Sequence, residues 1–301
     1  MKLEVPIGIL VRRRGALGDV VVTTGVIREL KSMYGDNCVI DVATQFPTVF
    51  SNNPHIRNVI TISETDDSNA DPSLYDVFYN LDDTYEYNPN GHFADNYFYR
   101  VFGNTDSMDK SMELWVDQNE SDVVGEFVKT IGGDFIAVHM RRWHWELKNI
   151  DPAIWMEVFN KVIAVKPKVK IVCVGGETDV FFEGHPQIID GRHMYTPGSL
   201  ACLLDSAKCF VGIDSGPFHI AGASETHIVA LLSHMYPDKV LPYRNHTFGA
   251  NCTVVQAKVD CLGCHSRQQR PVRRIVCERG DYACNKLWDT DAISQAIIAQ
   301  L

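Results

Sequence analysis

Apolar positions along the chain fall into two kinds of run: short β-rich stretches ended by turns, and longer stretches with helical spacing. Residues 7–11 are a β-rich run that leads into the turn Gly15-Ala16-Leu17-Gly18-Asp19. Val22, Val26, Ile27, Leu30 and Met33 then share one helical face, which predicts a helix over 20–34 ended by Gly35-Asp36-Asn37. Apolar runs at 38–43 and 59–62 predict two further strands. Strand, helix and strand at this spacing argue for a parallel sheet covered by helices.

The pattern restarts near residue 134. Strands at 135–139, 169–174, 209–213 and 226–232 alternate with helices at 152–165 and 199–207, and another helix opens at 218–223. This predicts a second α/β unit. Residues 118–133 read as a linker region, and Ile293, Ala296, Ile297 and Leu301 as the apolar face of a short final helix. There is no internal repeat.

Composition narrows the class. The chain has 301 residues, 45% hydrophobic and 22% charged, which fits about two globular domains and excludes a disordered tail, a fibrous repeat or a membrane bundle. Lys and Arg number 28 against 38 Asp and Glu, so the net charge is −10, and the surface as a whole does not suit nucleic acid or anionic lipid. No stretch approaches the roughly 18 apolar residues of a spanning helix. The start carries Glu4 and Pro6 and runs into Arg12-Arg13-Arg14, so it reads as a first buried strand and not as an export signal. The expected setting is cytoplasmic, with the nine cysteines mostly reduced.

Residues 58–99 stand apart. They hold no Lys or Arg but carry Glu64, Asp66, Asp67, Asp71, Asp76, Asp82, Asp83, Glu86 and Asp95, interleaved with aromatics such as Tyr75, Tyr85, Phe93 and Tyr97. Two readings stay open: a solvated acidic loop with inward-packed aromatics, or a cleft suited to sugar rings.

Three segments carry candidate chemistry, each at the carboxyl end of an expected strand, where open α/β sheets place ligands. Gly15 and Gly18 let backbone approach a ligand, and Asp19 either aims into a cleft or caps the following helix. The spacing is not the G-x-G-x-x-G fingerprint, so a dinucleotide-binding dehydrogenase is unsupported. Asp214-Ser215-Gly216-Pro217-Phe218-His219 opens a helix whose backbone amides, with the Ser215 hydroxyl and His219, suit a diphosphate; the alternative is a structural turn with a core histidine. Arg141, Arg142 and Lys148 lie in one loop and either neutralise phosphates or face solvent.

Together these segments resemble glycosyltransferase family 9, the heptosyltransferase-like enzymes of lipopolysaccharide assembly. The likeness runs through Arg14–Thr24, Lys148-Asn149-Ile150-Asp151-Pro152 with Trp155, and Ser199–His219. It implies an α/β GT-B fold with two Rossmann-like domains whose parallel sheets face each other across a cleft. The expected division is an acceptor-binding domain over 1–130, a nucleotide-sugar-binding domain over 131–287 with a cysteine-rich segment at 261–284, and a terminal helix over 288–301 that returns to the first domain.

The resemblance also implies an inverting, metal-independent transfer from a nucleotide-diphosphate sugar. Asp19 then matches the general base and Lys148 the lysine on the donor phosphate. Asp214, Ser215, Gly216 and His219 match the donor sugar and diphosphate loop. Glu177 matches an acidic residue on the ribose. Arg141 joins the donor side, and Gly15, Gly18 and Arg14 form the acceptor or phosphate loop. The implied acceptor is a lipopolysaccharide or other surface glycoconjugate, handled in the cytoplasm or at the inner membrane surface.

Cys261, Cys264, Cys277 and Cys284 have the number and part of the spacing of a structural zinc site, with free or disulfide-linked thiols as the alternative. Arg267, Arg270, Arg273, Arg274, Lys286 and His265 form a basic segment beside them. It reads as a solvated loop or as an anion-binding rim, which leaves a glycosyltransferase acting on hydroxymethylated phage DNA as a second function. A non-catalytic nucleotide-sugar or glycan-binding module is the third.

Overall fold

The computed structural model describes residues 5–86, 91–103, 105–142, 146–267 and 276–301. The first unit is built on β1 (Ile7–Arg12), α1 (Leu17–Tyr34), β2 (Cys38–Thr44), β3 (Asn58–Thr61) and β4 (Val77–Asn80). These strands form one parallel sheet in the order β3-β2-β1-β4. Central β1 buries Ile9, Leu10 and Val11 in succession, as a strand covered on both faces requires. Gly35, at φ 54°, ends α1 in a conformation that few other residues take.

α2 (Phe93–Phe102) lies against α1, and α3 (Gln118–Ile131) follows. The second unit comprises β5 (Phe135–His139), α4 (Pro152–Val165), β6 (Lys170–Cys173), β7 (Ile188–Asp190), α5 (Pro197–Ser206), β8 (Phe210–Gly212), α6 (Gly216–Gly222) and β9 (Ile228–Leu232). It continues with α7 (Pro237–Val240), the hairpin β10 (Tyr243–Arg244) and β11 (Thr247–Phe248), β12 (Cys252–Gln256), α8 (Cys264–Arg267) and α9 (Thr290–Ile298). Its six-stranded parallel sheet has the order β12-β9-β8-β5-β6-β7. Two parallel sheets in two α/β units give the expected GT-B architecture.

Two expectations need correction. Residues 118–133 are not a linker. Asp117 caps α3 by accepting the Glu120 N–H at 2.8 Å, and Val124 and Ile131 are buried at helical spacing. α3 packs on α5, with Glu120 Oε1 accepting from Thr196 Oγ1 at 3.0 Å. It therefore sits with the second unit, and the first ends before it. Nor does the terminal helix return to the first unit. α9 lies on α4, where Ile293 and Ile297 enter the core that holds Trp155 and Val162. The chain before it is already stitched down: Asp151 N donates to the Asn285 carbonyl at 2.9 Å, and Lys258 N to that of Leu287 at 2.6 Å.

The two units meet where α1 and α6 begin. A methyl group on Gly18 would stand 2.5 Å from His219 Cδ2, and one on Gly216 would stand 2.7 Å from Leu17 Cδ2. Glycine at both positions permits this approach. His92 adds a second link, donating Nε2–H to the Leu241 carbonyl at 2.8 Å while Nδ1 accepts the Ala94 N–H at 3.0 Å.

Candidate active site

Asp19 stands in the first turn of α1, behind the carboxyl end of β1. Its Oδ2 accepts the Ala16 N–H at 2.8 Å and Arg13 Nη2 at 2.9 Å. Asp19 thus does cap the helix. Its Oδ1 accepts no hydrogen bond among the described residues and remains for a proton.

Arg13 was not singled out by the sequence, yet it organises this side. It is buried, donates Nη1–H to the Leu81 carbonyl at 3.0 Å, and shares Nη2 between Asp19 and Glu86 Oε1, the latter at 2.8 Å. Its guanidinium lies over Tyr85 and Tyr97, at 5.4 and 5.6 Å from the ring centres. Burial opposes its charge, but Tyr97, Asp19 and Glu86 outweigh that and hold the proton more firmly than usual. Burial raises the Glu86 pKa further than Arg13 lowers it.

The acidic stretch now has a physical account. Asp67 and Asp82 pair with Arg12 and Arg14, and Glu86 with Arg13. Tyr97 is fully buried and Phe93 stacks on Tyr85 at 4.1 Å. Phe93, Tyr97 and Phe98 pack inward and these acids partner the arginines. Arg14, expected at a phosphate, is therefore turned to Asp82 and Asp67. Gly15 lies against Gln45 and Phe46, and Gly18 against His219, so both glycines serve close packing.

On the opposite side, Asp214 follows β8 and is buried. Lys148 Nζ contacts its Oδ2 at 2.7 Å, His219 Nε2 its Oδ1 at 3.2 Å, and His234 Nε2 its Oδ2 at 3.4 Å. Burial alone would raise the Asp214 pKa; the Lys148 charge and the His219 bond, with His234 close by, overcome this and hold it well below the usual carboxylate range. Burial lowers the pKa of His234, which stacks on His265 at 6.0 Å. Lys148 and His219 are thus brought together, with Asp214 between them. Phe93 reaches across to His219, with ring centres 6.3 Å apart, joining the two sides.

Beside this cluster a cleft of about 1230 Å³ opens at the carboxyl ends of β5, β6 and β7. Arg141, Glu177, Phe181, Arg192 and Lys286 line it. Glu177 is exposed at this cleft, while Arg141 is largely enclosed and burial lowers its pKa. Asp179, two residues on, was missed. Its Oδ2 accepts the Gly176 N–H at 2.7 Å and contacts His139 Nε2 at 3.1 Å, and its Oδ1 accepts the Arg142 N–H at 2.8 Å. Burial works against this charge, and the bonds from His139 and the backbone lower its pKa. The only sequence signals were an Asp three residues beyond a glycine turn and a His closing a strand.

Cys261, Cys264, Cys277 and Cys284 are free thiols around one cavity of about 10 Å³. Among the described residues, no three His, Cys, Asp or Glu side chains stand in an array that would hold a metal ion. In the basic segment, Arg267 pairs with Glu278 at 3.3 Å. Arg270, Arg273 and Arg274 lie outside the described residues. No helix among the described residues is long and apolar enough to cross a membrane.

The fold, two α/β units each built on a parallel sheet, is of the GT-B type. Its resemblance is to glycosyltransferase family 9 (heptosyltransferase), whose model matches residues 198–271, the span from α5 through the Asp214–His219 loop to the cysteines. Among solved structures, a family 9 glycosyl transferase from Veillonella parvula is 16% identical, with all of both chains covered and a TM-score of 0.75. The iron-containing dodecameric glycosyltransferase TibC from enterotoxigenic E. coli is 14% identical, with 100% of this chain and 77% of that one covered and a TM-score of 0.68. The ADP-heptose lipopolysaccharide heptosyltransferase II of E. coli is 15% identical over 98% of this chain and 99% of its own, with a TM-score of 0.62. No curated protein matches the chain at the level of sequence.

Proposed function

We propose that this protein moves a sugar from a nucleoside-diphosphate donor to an acceptor hydroxyl with inversion at the anomeric carbon. The observation that carries this reading is the Gly18–His219 contact, which sets the start of α1, the turn that bears Asp19, against the Lys148–Asp214–His219 cluster. The acceptor oxygen attacks the anomeric carbon as its proton passes to Asp19. The bond to the leaving phosphate oxygen breaks, and the nucleoside diphosphate departs with the electron pair. Lys148 meets the charge that develops there, an interaction whose loss costs about 2–4 kcal/mol of barrier. Ser215 and Gly216 line the diphosphate, and Glu177 holds the ribose in the open cleft.

The donor base is proposed from the relatives: TibC has been solved with ADP-D-β-D-heptose, and the E. coli enzyme is an ADP-heptose transferase. For the acceptor we favour a surface glycoconjugate whose reacting end is not strongly anionic, because Arg12, Arg13 and Arg14 are all paired within the chain. Calorimetric titration with ADP, UDP, GDP, dTDP and CMP in turn tests the donor reading. Micromolar binding of one nucleotide, worth roughly 8 kcal/mol, supports it. Binding of none overturns it and leaves a glycan-binding module.

A further inference from the structure

We infer that His139 is a positioning residue for the donor loop, tethering Ser215 through one ring nitrogen and Asp179 through the other. The inference rests on the reading of residues 214–219 as the donor loop. His139 is the last residue of β5 and is buried. Its Nδ1 lies 3.0 Å from Ser215 Oγ and its Nε2 lies 3.1 Å from Asp179 Oδ2. Asp179 in turn holds the backbone of Gly176 and Arg142. Three loops at the carboxyl edge of one sheet, those after β5, β6 and β8, therefore meet at a single imidazole.

A carboxylate only accepts, so Asp179 selects the ring form that carries the proton on Nε2. That leaves Nδ1 facing the Ser215 oxygen, whose single hydrogen is shared between Nδ1 at 3.0 Å and the Ile213 carbonyl at 2.9 Å. The seat is tight: a methyl on Gly175 would stand 2.7 Å from His139 Cδ2, and one on Gly212 would stand 3.5 Å from its Cβ. Gly175 is at φ 128°, a backbone conformation open to glycine. The imidazole, packed against Gly175 and Gly212, thus ties the Glu177 loop to Ser215. No part of the proposed sugar transfer uses His139 directly.

Two measurements test this. The first is ¹⁵N-histidine NMR of the protein without nucleotide. We expect the His139 Nε2–H form in the wild type, its loss in Asp179→Asn, and a shifted Nδ1 resonance in Ser215→Ala. An unmoved Nδ1 resonance in Ser215→Ala overturns the tether, whatever the protein binds. The second is calorimetry with the same five nucleotides. His139→Ala is expected to weaken binding tenfold or more. His139→Asn, whose amide takes the place of Nδ1, should recover most of it, whereas His139→Gln, which replaces Nε2, should not. Wild-type affinity in His139→Ala, or recovery by Gln and not by Asn, overturns the positioning role. If the wild type binds none of the five, the donor reading fails, and the Ser215→Ala spectrum still decides the tether. The Asn and Gln variants and the NMR comparison keep the test open if His139→Ala does not fold.

Discussion

The guanidinium of Arg13 and the carboxylate of Asp19 meet at 2.9 Å, and the same nitrogen also holds Glu86. One buried cation thus keeps two carboxylates close together and orients the proposed base. Arg13→Ala leaves both acids facing each other in a poorly solvated pocket. It should destabilise the fold by about 3–5 kcal/mol, the usual result of removing one member of a buried pair. Arg13→Lys keeps the charge but loses the planar fork and should fall between. Urea titration of the three proteins checks the order.

Asp19→Asn separates capping from chemistry. The amide oxygen can still accept the Ala16 N–H, so the fold should persist. Turnover should drop on the order of 10²–10⁴-fold, with nucleotide affinity unchanged. Unchanged turnover in a transfer assay would falsify the base assignment.

Lys148 and Asp214 form a buried pair, so single substitutions confound binding with stability. Lys148→Met should lower both the melting temperature and donor affinity. The double variant Lys148→Met, Asp214→Asn removes the stranded charge and should recover stability without recovering affinity. Calorimetry and thermal melts on the same samples distinguish the two effects.

Acid should unfold this protein partly through His92. Burial is the main cause that lowers its pKa to about 4, from an ordinary value near 6.5. The folded state therefore favours the neutral ring, and the unfolded chain takes up the proton first as pH falls. Stability is complete above about 6.5 and is lost down to about 4, where the gap corresponds to roughly 3 kcal/mol. Burial also lowers His265, to about 3, with the same sign. Denaturation at pH 7.5 and 5 should show this fall, and His92→Asn, which can still cap α2, should flatten it.

The contact between the two units is also testable. In Gly18→Ala the new methyl meets a buried imidazole, which cannot yield without leaving Asp214. In Gly216→Ala it meets the end of the Leu17 side chain, which can turn. The first should cost about 1–3 kcal/mol and weaken nucleotide binding, while the second should cost less on both counts. A Gly216→Ala defect as large as that of Gly18→Ala would contradict this packing.

Much of the site was legible because it lies on strand ends. Asp214 sits two residues past β8, and Asp19, Lys148 and His219 lie in the segments that follow β1, β5 and β8; a parallel sheet gathers such segments on one edge. Arg13 and His139 were hidden for the opposite reason: each lies within or directly after a strand, where a polar residue gives no local sign of what it faces. Asp117, which caps α3, had a helix behind it that the polar surface of residues 118–133 disguised as a linker.

Periodicity alone determined that the chain is two α/β units with parallel sheets, because burial on both faces leaves unbroken apolar runs and covering helices leave stripes. Local spacing also placed the glycine turns. Tertiary structure decided which acids neutralise Arg12, Arg13 and Arg14, that α9 closes over α4, and that His139 stands between Ser215 and Asp179. Those partners are 40 to 76 residues apart for His139, and 53 to 73 for the pairs that Arg13 and Arg14 make with Asp67, Asp82 and Glu86. Hydrogen bonds and ion pairs act over a few ångströms of space, and only the assembled sheets set which distant residues share it.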